Sequence, residues 1–344
     1  MLGLDTWQSA LLIILIVISV SYTCQVIMDK LATPLPVATG GTEGFISPGG
    51  YLPQGRKATE GFTDAAEPAA EQSKYEWLTG DELYDDFYVS THHKIFQHEK
   101  LVQAEAAIAL QDWTKRGDKG EMSVLDVACG SGVAACYLAK QGAGTVVGLD
   151  KSKAMIRYAK NSILPGTTLT GAQQKALEFR VGDAYGPSVA DPAEFTHAML
   201  LYFSVYRFRD LDALFKNIHF WTQPGGSMVV EVVDKYKFLP IPDVANPWMV
   251  NPQAHTKDRM TKGAAEFDKF TYESSFELDD GMAEYRETFR FKDGSVRRQK
   301  HVLYMPDIKE IIRRATDAGW VYQQYTDLAV VGFDHGYLLF FGKA

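Results

Sequence analysis

The chain has 344 residues, 46% of them hydrophobic, which suffices for one sizeable domain with additions. A net charge of −8 excludes the broad basic face of a general nucleic-acid binder, and the basic cluster Arg297, Arg298 and Lys300 is short. The three cysteines, Cys24, Cys129 and Cys136, make neither a disulfide framework nor a metal pair, and no Cys/His/Asp grouping has ligand spacing.

Residues 10–28 are almost free of charge, and Leu11 to Val20 are nearly all aliphatic. That length approaches the roughly 20 residues a membrane-spanning helix needs. A cleaved signal peptide would want a basic start and a small-x-small exit, and the segment has neither. Residues 1–30 are therefore expected to form an uncleaved single-span transmembrane anchor, with a signal peptide or a buried helix as the alternatives. Lys30, Arg56 and Lys57 follow the span and no basic residue precedes it, which places the main domain in the cytosol. Residues 31–74 are rich in Pro, Gly, Thr and Ala and are expected to be a flexible linker. Thr42-Glu43-Gly44-Phe45 recurs there as Thr59-Glu60-Gly61-Phe62, either as anchoring points of a tether or as docking peptides.

Order resumes at Tyr75 and continues to the end of the chain. Leu83, Phe87, Ile95 and Phe96 give a broken helical pattern, followed by an amphipathic helix from about Glu99 to Trp113. Val124, Leu125 and Val127 make a buried strand, Gly130 and Gly132 a tight turn, and Val133 to Ala139 a helix ended by Gly142. Strand, glycine turn and helix N-terminus together form a nucleotide-cradling corner. Thr145 to Asp150 is a second buried strand. Its acid lies about 20 residues past the glycine turn, where a carboxylate reaches ribose hydroxyls. Ser152 caps a helix carrying Met155, Ile156 and Ala159. A third strand from Leu177 leads to Asp183 and Ala184. A fourth runs from Phe195 to Phe203, a helix from Leu211 to Trp221, and Gln223-Pro224-Gly225-Gly226 turns into a fifth strand, Ser227 to Val233. Asp126, Asp150 and Asp183 thus converge on the carboxyl edge of one parallel sheet, where ligands bind.

Residues 234–306 lie outside this minimal sheet. Asn246-Pro247-Trp248 and Asn251-Pro252 indicate an irregular loop. Three alternating strands follow, joined by turns at Asp279-Asp280-Gly281 and Lys292-Asp293-Gly294. Ser274 and Glu287 interrupt their apolar faces, and a cross-strand ion pair of Glu287 with Arg298 or Lys300 is expected, with contacts to a polar substrate as the alternative. Pro306 to Ala318 is an amphipathic helix, and Tyr322 to Leu328 and Tyr337 to Phe341 are closing strands.

Leu125-Asp126-Val127-Ala128-Cys129-Gly130-Ser131-Gly132 resembles the first motif of class I S-adenosylmethionine (SAM) methyltransferases, in a Cys-Gly-x-Gly variant. Asp150-x-Ser152-x-x-Met155, Asp183-Ala184 and Pro224-Gly225-Gly226 extend the resemblance from about residue 75 to the C-terminus. It implies an α/β fold, a Rossmann-like seven-stranded sheet with an antiparallel β insertion roofing the site, and SAM as cofactor. It places Asp126, Ala128, Gly130 and Gly132 at the corner, Asp150 and Lys151 at the ribose, and Met155, Asp183 and Ala184 at the adenine. Leu201, Tyr202 and Phe203 fall near the sulfonium methyl. Tyr84 or Tyr88 either closes over the methionine part or belongs to an ordinary packed helix. Thr196 departs from the family, which commonly has Asp there, at a position away from the cofactor.

SAM carries an activated methyl group, so such an enzyme mainly aligns the reactants and excludes water. A general base is needed only for a nucleophile whose proton has a pKa well above ambient. His301, on the roof, is the candidate, with a structural strand histidine as the alternative. His92 and His93 beside the lid are further possibilities. His197 is read as packing, and Glu231 as lying away from the methyl position. The resulting expectation is a membrane-tethered methyltransferase acting on a small-molecule or lipid-like acceptor. The alternatives are a protein methyltransferase and a tethering protein that keeps the fold without activity. No metal and no nucleic-acid partner is expected, and the sequence does not encode the oligomeric state.

Overall fold

The computed structural model describes residues 77–344, except 97, 118–121, 239, 241–246, 251–258 and 280. The expected anchor, linker and repeated Thr-Glu-Gly-Phe lie outside these residues. Among the described residues no helix is long and apolar enough to cross a membrane.

The chain enters through a short strand β1 (Trp77–Thr79), a 3-10 turn (Gly80–Leu83), and helices α1 (Asp86–Phe96) and α2 (Glu99–Lys115). Strand β2 (Ser123–Val127) leads through the glycine turn into α3 (Val133–Lys140). Strand β3 (Thr145–Asp150), α4 (Lys153–Tyr158), α5 (Gly171–Ala176) and β4 (Leu177–Val181) follow. Strand β5 (Phe195–Leu200), α6 (Leu211–Trp221) and β6 (Thr222–Val233) complete the parallel part. Strands β7 (Pro247–Val250), β8 (Arg259–Glu266), β9 (Phe270–Asp279), β10 (Met282–Phe291) and β11 (Val296–Tyr304) come next. Helix α7 (Ile308–Asp317), β12 (Trp320–Asp327) and β13 (Gly336–Lys343) end the chain.

The main sheet has seven strands in the order β12-β13-β6-β5-β2-β3-β4. Strands β6, β5, β2, β3 and β4 are mutually parallel, and β13 and β12 close the edge in antiparallel fashion. The chain builds from β2 towards β4, then returns to lay down β5 and β6 on the other side of β2. The switch point therefore lies at the carboxyl ends of β2 and β5, where an open parallel sheet leaves a crevice.

Alternation along the strands sorts the core. Val124, Val146, Met199 and Val229 face the layer of α2 and α3, with Ala106, Trp113 and Leu138. Leu125, Val147, Ala198 and Val230 face the opposite layer, with Phe215 and Ile218 of α6 and Ile311 of α7. Both faces are covered, which is why these strands read as continuous apolar runs.

The second sheet is larger than the sequence pattern suggested. It has six strands in the order β1-β11-β10-β9-β8-β7. Periodicity exposes β9, β10 and β11; β7 falls where Asn246-Pro247-Trp248 indicates a loop, and β1 and β8 carry no alternation signal. Strand β7 begins at a proline, a position an edge strand tolerates, and β8 carries too few large apolar residues to alternate visibly. Strand β1 pairs parallel with β11, Leu78 opposite Gln299, and so ties the chain before α1 to the roof. The inner face of the roof, including Tyr272, Phe276, Leu278 and Phe289, is buried in the same core as α6 and α7. Each such side chain stabilises the fold by roughly 1.5–3 kcal/mol.

Two smaller differences concern strand ends. Strand β5 stops at Leu200 because Tyr202 and Phe203 both take left-handed backbone angles. Strand β6 begins at Thr222 and includes Pro224-Gly225-Gly226, absorbed as an irregularity in its pairing with β5.

Candidate active site

The glycine turn after β2 is built by close approach. Gly132, at φ +76°, starts α3, and a Cβ there would lie 2.4 Å from the Phe179 ring. Gly132 is therefore packed against β4 and does not line the cavity. It lets the corner fold, while Ala128 and Gly130 line the cavity. Both have positive φ, and a Cβ at Gly130 would meet nothing within 4 Å.

Asp150 locks this corner. Gly130 N–H donates to its Oδ2 and Ser152 N–H to its Oδ1, both at 2.8 Å. Each oxygen keeps a further acceptor site, so the carboxylate is oriented and still able to take two hydroxyl donors. Ser152 caps α4 by accepting from Met155 N–H at 3.2 Å. The hydroxyl of Ser152 also donates to the Tyr84 carbonyl at 3.3 Å, so the cap joins corner to lid. Asp183 accepts from Tyr185 N–H at 3.0 Å and holds Lys151 at 3.3 Å. Lys151 also reaches Asp81 at 3.0 Å and so bridges the lid turn and the end of β4.

A cavity of about 930 Å³ opens over these strand ends. Drug-sized ligand pockets run from roughly 300 to 1,000 Å³, so this one has room for a nucleoside cofactor and a small second molecule. Tyr84, Tyr88, Met155, Ala184, Leu201 and His301 line it together with the three acids and Lys151. Tyr84 and Tyr88 meet edge to face with centroids 5.3 Å apart. Arg297 of β11 fastens the lid through Asp85 at 2.6 Å and the Leu83 carbonyl at 3.1 Å.

The acids at the corner are poised for a cationic ligand. Asp126 is buried, and its Oδ2 has no partner among the described residues. Burial, with Asp150 nearby, pushes its pKa up to about 8, and burial also raises that of Asp150. A ligand bearing positive charge and hydroxyl donors would relieve both costs. SAM, with its sulfonium, ammonium and ribose hydroxyls, has that character, so the residues fit the group the sequence implied.

The roof presents a different chemistry. His301 Nε2 lies 3.0 Å from Glu287 Oε2, and Arg207 lies 3.2 Å from His301 Nδ1. Because a guanidinium can only donate, Nδ1 is the acceptor and the imidazole proton sits on Nε2, directed at Glu287. Burial lowers the His301 pKa, against the opposing pull of Glu287, so the ring is neutral. Glu287 also accepts from Tyr272 OH and Gln299 Nε2, each at 2.7 Å. The expected ion pair of Glu287 with Arg298 or Lys300 is thus corrected. Glu287 stands opposite Gln299, and its buried face brings it to His301, while Lys300 pairs with Glu284 at 3.0 Å.

Several cavity residues carried no clear sequence signal. His98 stacks on Tyr202 at 4.5 Å, and burial drives its pKa down to about 4. His92 stacks on Phe96 at 4.3 Å and is held neutral by burial. His93 also lines the cavity and meets Glu99 at 2.5 Å. Arg207 carries no motif signal; it is one of two arginines, with Arg209, in the aromatic stretch after the fourth strand. His197 packs against Trp113 at 4.5 Å, and Glu231 is buried beneath the cavity, holding Phe203 N–H at 2.9 Å. Among the described residues no group of His, Cys, Asp and Glu side chains has the arrangement of a metal site.

Residues 124–226 match a family model described as a methyltransferase domain. No curated protein matches the chain in sequence. Among solved structures, the chain is similar to a SAM-dependent methyltransferase from Clostridium acetobutylicum, with a TM-score of 0.55, 14% identity, and 75% of this chain and 99% of that one covered. It is similar to the CcbJ methyltransferase from Streptomyces caelestis, with a TM-score of 0.53, 16% identity and coverage of 70% and 90%. It also resembles DesVI from Streptomyces venezuelae, with a TM-score of 0.51, 21% identity and coverage of 76% and 99%. Residues 124–226 thus carry a methyltransferase domain, and the strand order is the fold of the solved SAM-dependent methyltransferases it resembles.

Proposed function

We propose that the protein transfers the SAM methyl group to a small molecule bound beneath the roof, and that residues 10–28 tether it to a membrane with the domain on the cytosolic side. The observation that carries the first part is the roofed cavity, which spans the corner at Asp150 and the His301–Glu287 pair. A roof suits a small acceptor better than a polypeptide, which would need an open groove. The tether rests on the uncharged run before Asp29, and a lipid-like acceptor would suit such a location.

The cofactor, when bound, supplies a methyl group activated by its sulfonium. Asp150, Asp183 and the Gly130 backbone would hold the nucleoside, and Asp126 would face its cationic part. Tyr84 and Tyr88 cover the cavity and exclude water from it. His301 offers the Nδ1 lone pair to the acceptor's O–H or N–H, and Glu287 fixes the tautomer that makes this possible. Bound there, the cofactor would supply the methyl carbon, and the electron pair of the broken carbon–sulfur bond would stay on sulfur as the acceptor's heteroatom takes the carbon. The acceptor's proton passes to Nδ1.

Incubation with methyl-labelled SAM and a cellular extract should place label in the fraction that passes an ultrafiltration membrane. Label retained only on protein would contradict the small-molecule reading. Deleting residues 1–30 should release the protein from membranes with its SAM binding intact; a deletion variant that stays membrane-bound would remove the tether from the account.

A further inference from the structure

The cavity carries charges of both signs, and most of them are paired. Its acids, Asp126, Asp150 and Asp183, sit at the strand ends, with Asp81, Asp85 and Asp86 on the adjoining lid. The loop after β5 and strand β11 contribute Arg207, Lys300, His301, Tyr202 and Phe208 to the same cavity and no carboxylate. Lys300 is neutralised by Glu284. Arg207 is not: among the described residues no carboxylate lies within ion-pair reach of it. Its guanidinium donates instead to two neutral acceptors, the Tyr84 hydroxyl and His301 Nδ1, and lies 5.7 Å from the centroid of the Tyr84 ring.

Arg207 is exposed at the mouth of the cavity, and with only neutral partners its guanidinium keeps donors free for an anion that enters there. Its planar fork matches a carboxylate or phosphate through two parallel hydrogen bonds, each stronger than a bond to a neutral acceptor. The present partner at Nδ1 is also the atom the proposed transfer needs free. An anion that drew the guanidinium towards itself would release that lone pair.

We propose that Arg207 is the anchor for an anionic group, carboxylate or phosphate, on the methyl acceptor, and that engaging it frees His301 Nδ1 to face the acceptor's proton. The inference rests on the methyltransferase reading and narrows its substrate class to anionic, aromatic-compatible small molecules, since Tyr202 and Phe208 line the same end. One other source of the same chemistry is the methionine carboxylate of the cofactor, and the experiment separates the two.

The full-length protein, saturated with S-adenosylhomocysteine, is titrated calorimetrically with benzoate, phenyl phosphate and neutral benzamide. The expected result is saturable binding of an anion but not of benzamide, weakened about tenfold or more by Arg207→Gln and less by Arg207→Lys, with affinity for S-adenosylhomocysteine unchanged. Absence of anion binding to the wild-type complex overturns the proposal. So does a loss of S-adenosylhomocysteine affinity of similar size in Arg207→Gln, which would assign the guanidinium to the cofactor's own carboxylate. Failure of the wild type to bind S-adenosylhomocysteine would strike the methyltransferase reading instead. The anion titration is then read on the free protein, where the same dependence on Arg207 is expected, and its absence is again decisive against the anchor.

Discussion

At the scale of single residues, the site depends on backbone that only particular neighbours allow. Gly132 is the sharpest case. Replacing it with Ala adds a Cβ at φ +76° and drives it into the Phe179 ring, so a loss of roughly 2–4 kcal/mol in chemical denaturation is expected from strain and overpacking together. Phe179→Leu in the same chain should recover part of that loss, and a double-mutant cycle showing no coupling would refute the contact. Tyr202 and Phe203 form a second such place, two successive non-glycine residues with positive φ. Glu105 accepts from Tyr202 N–H at 3.4 Å and Glu231 from Phe203 N–H at 2.9 Å. Burial raises both acids, Glu231 to about 8, so the fold keeps a proton that the unfolded chain releases near pH 4.5. The native state then binds more protons than the unfolded state between those values, and stability falls as pH rises through that window. Glu231→Gln should give a shallower decline of Tm between pH 6 and pH 9 than the wild type; an identical slope would contradict the retained proton. The acids at strand ends were legible in the sequence because spacing alone places them on one edge. The Glu105–Glu231 pair was not, because two residues 126 positions apart meet only through the packing of α2 on β6.

At the scale of elements, the lid and roof form one unit. Strand β1 adds to β11 in parallel, Arg297 of β11 ties down Asp85, and Phe87 of α1 packs on Phe289 at 5.2 Å. The sequence showed the parallel strands and helices plainly, since both faces of that sheet are buried and each strand is a run of large apolar residues. It showed the roof only where apolar residues alternate, and missed β1, β7 and β8, whose pairing is carried by backbone hydrogen bonds. Leu78→Pro removes an N–H from β1 and should detach the lid from the roof without touching the main core. Weaker binding of SAM, by about tenfold, with a Tm within a few degrees of wild type is the expected outcome. Wild-type affinity would show that the lid is held by α1 alone. His301→Gln belongs here too, because its effect runs through the β10–β11 pair. Label transfer should fall by roughly 10²–10⁴-fold while SAM affinity is kept, and equal losses of both would make His301 a structural residue.

At the scale of the whole molecule, a seven-stranded sheet supplies the cofactor corner and a six-stranded roof closes over it. The acids of the corner share one cavity with Arg207 of the loop after β5 and His301 of the roof, and Glu287 stands behind His301. The central claim is that this corner binds SAM, and calorimetric titration of the full chain with SAM tests it most directly. Saturable binding at one site is expected, weakened about tenfold to a hundredfold by Asp150→Asn, which exchanges a charged acceptor of two hydroxyls for a neutral amide. A folded wild-type protein that takes up no SAM, or an Asp150→Asn variant that binds it as tightly as the wild type, would contradict the account.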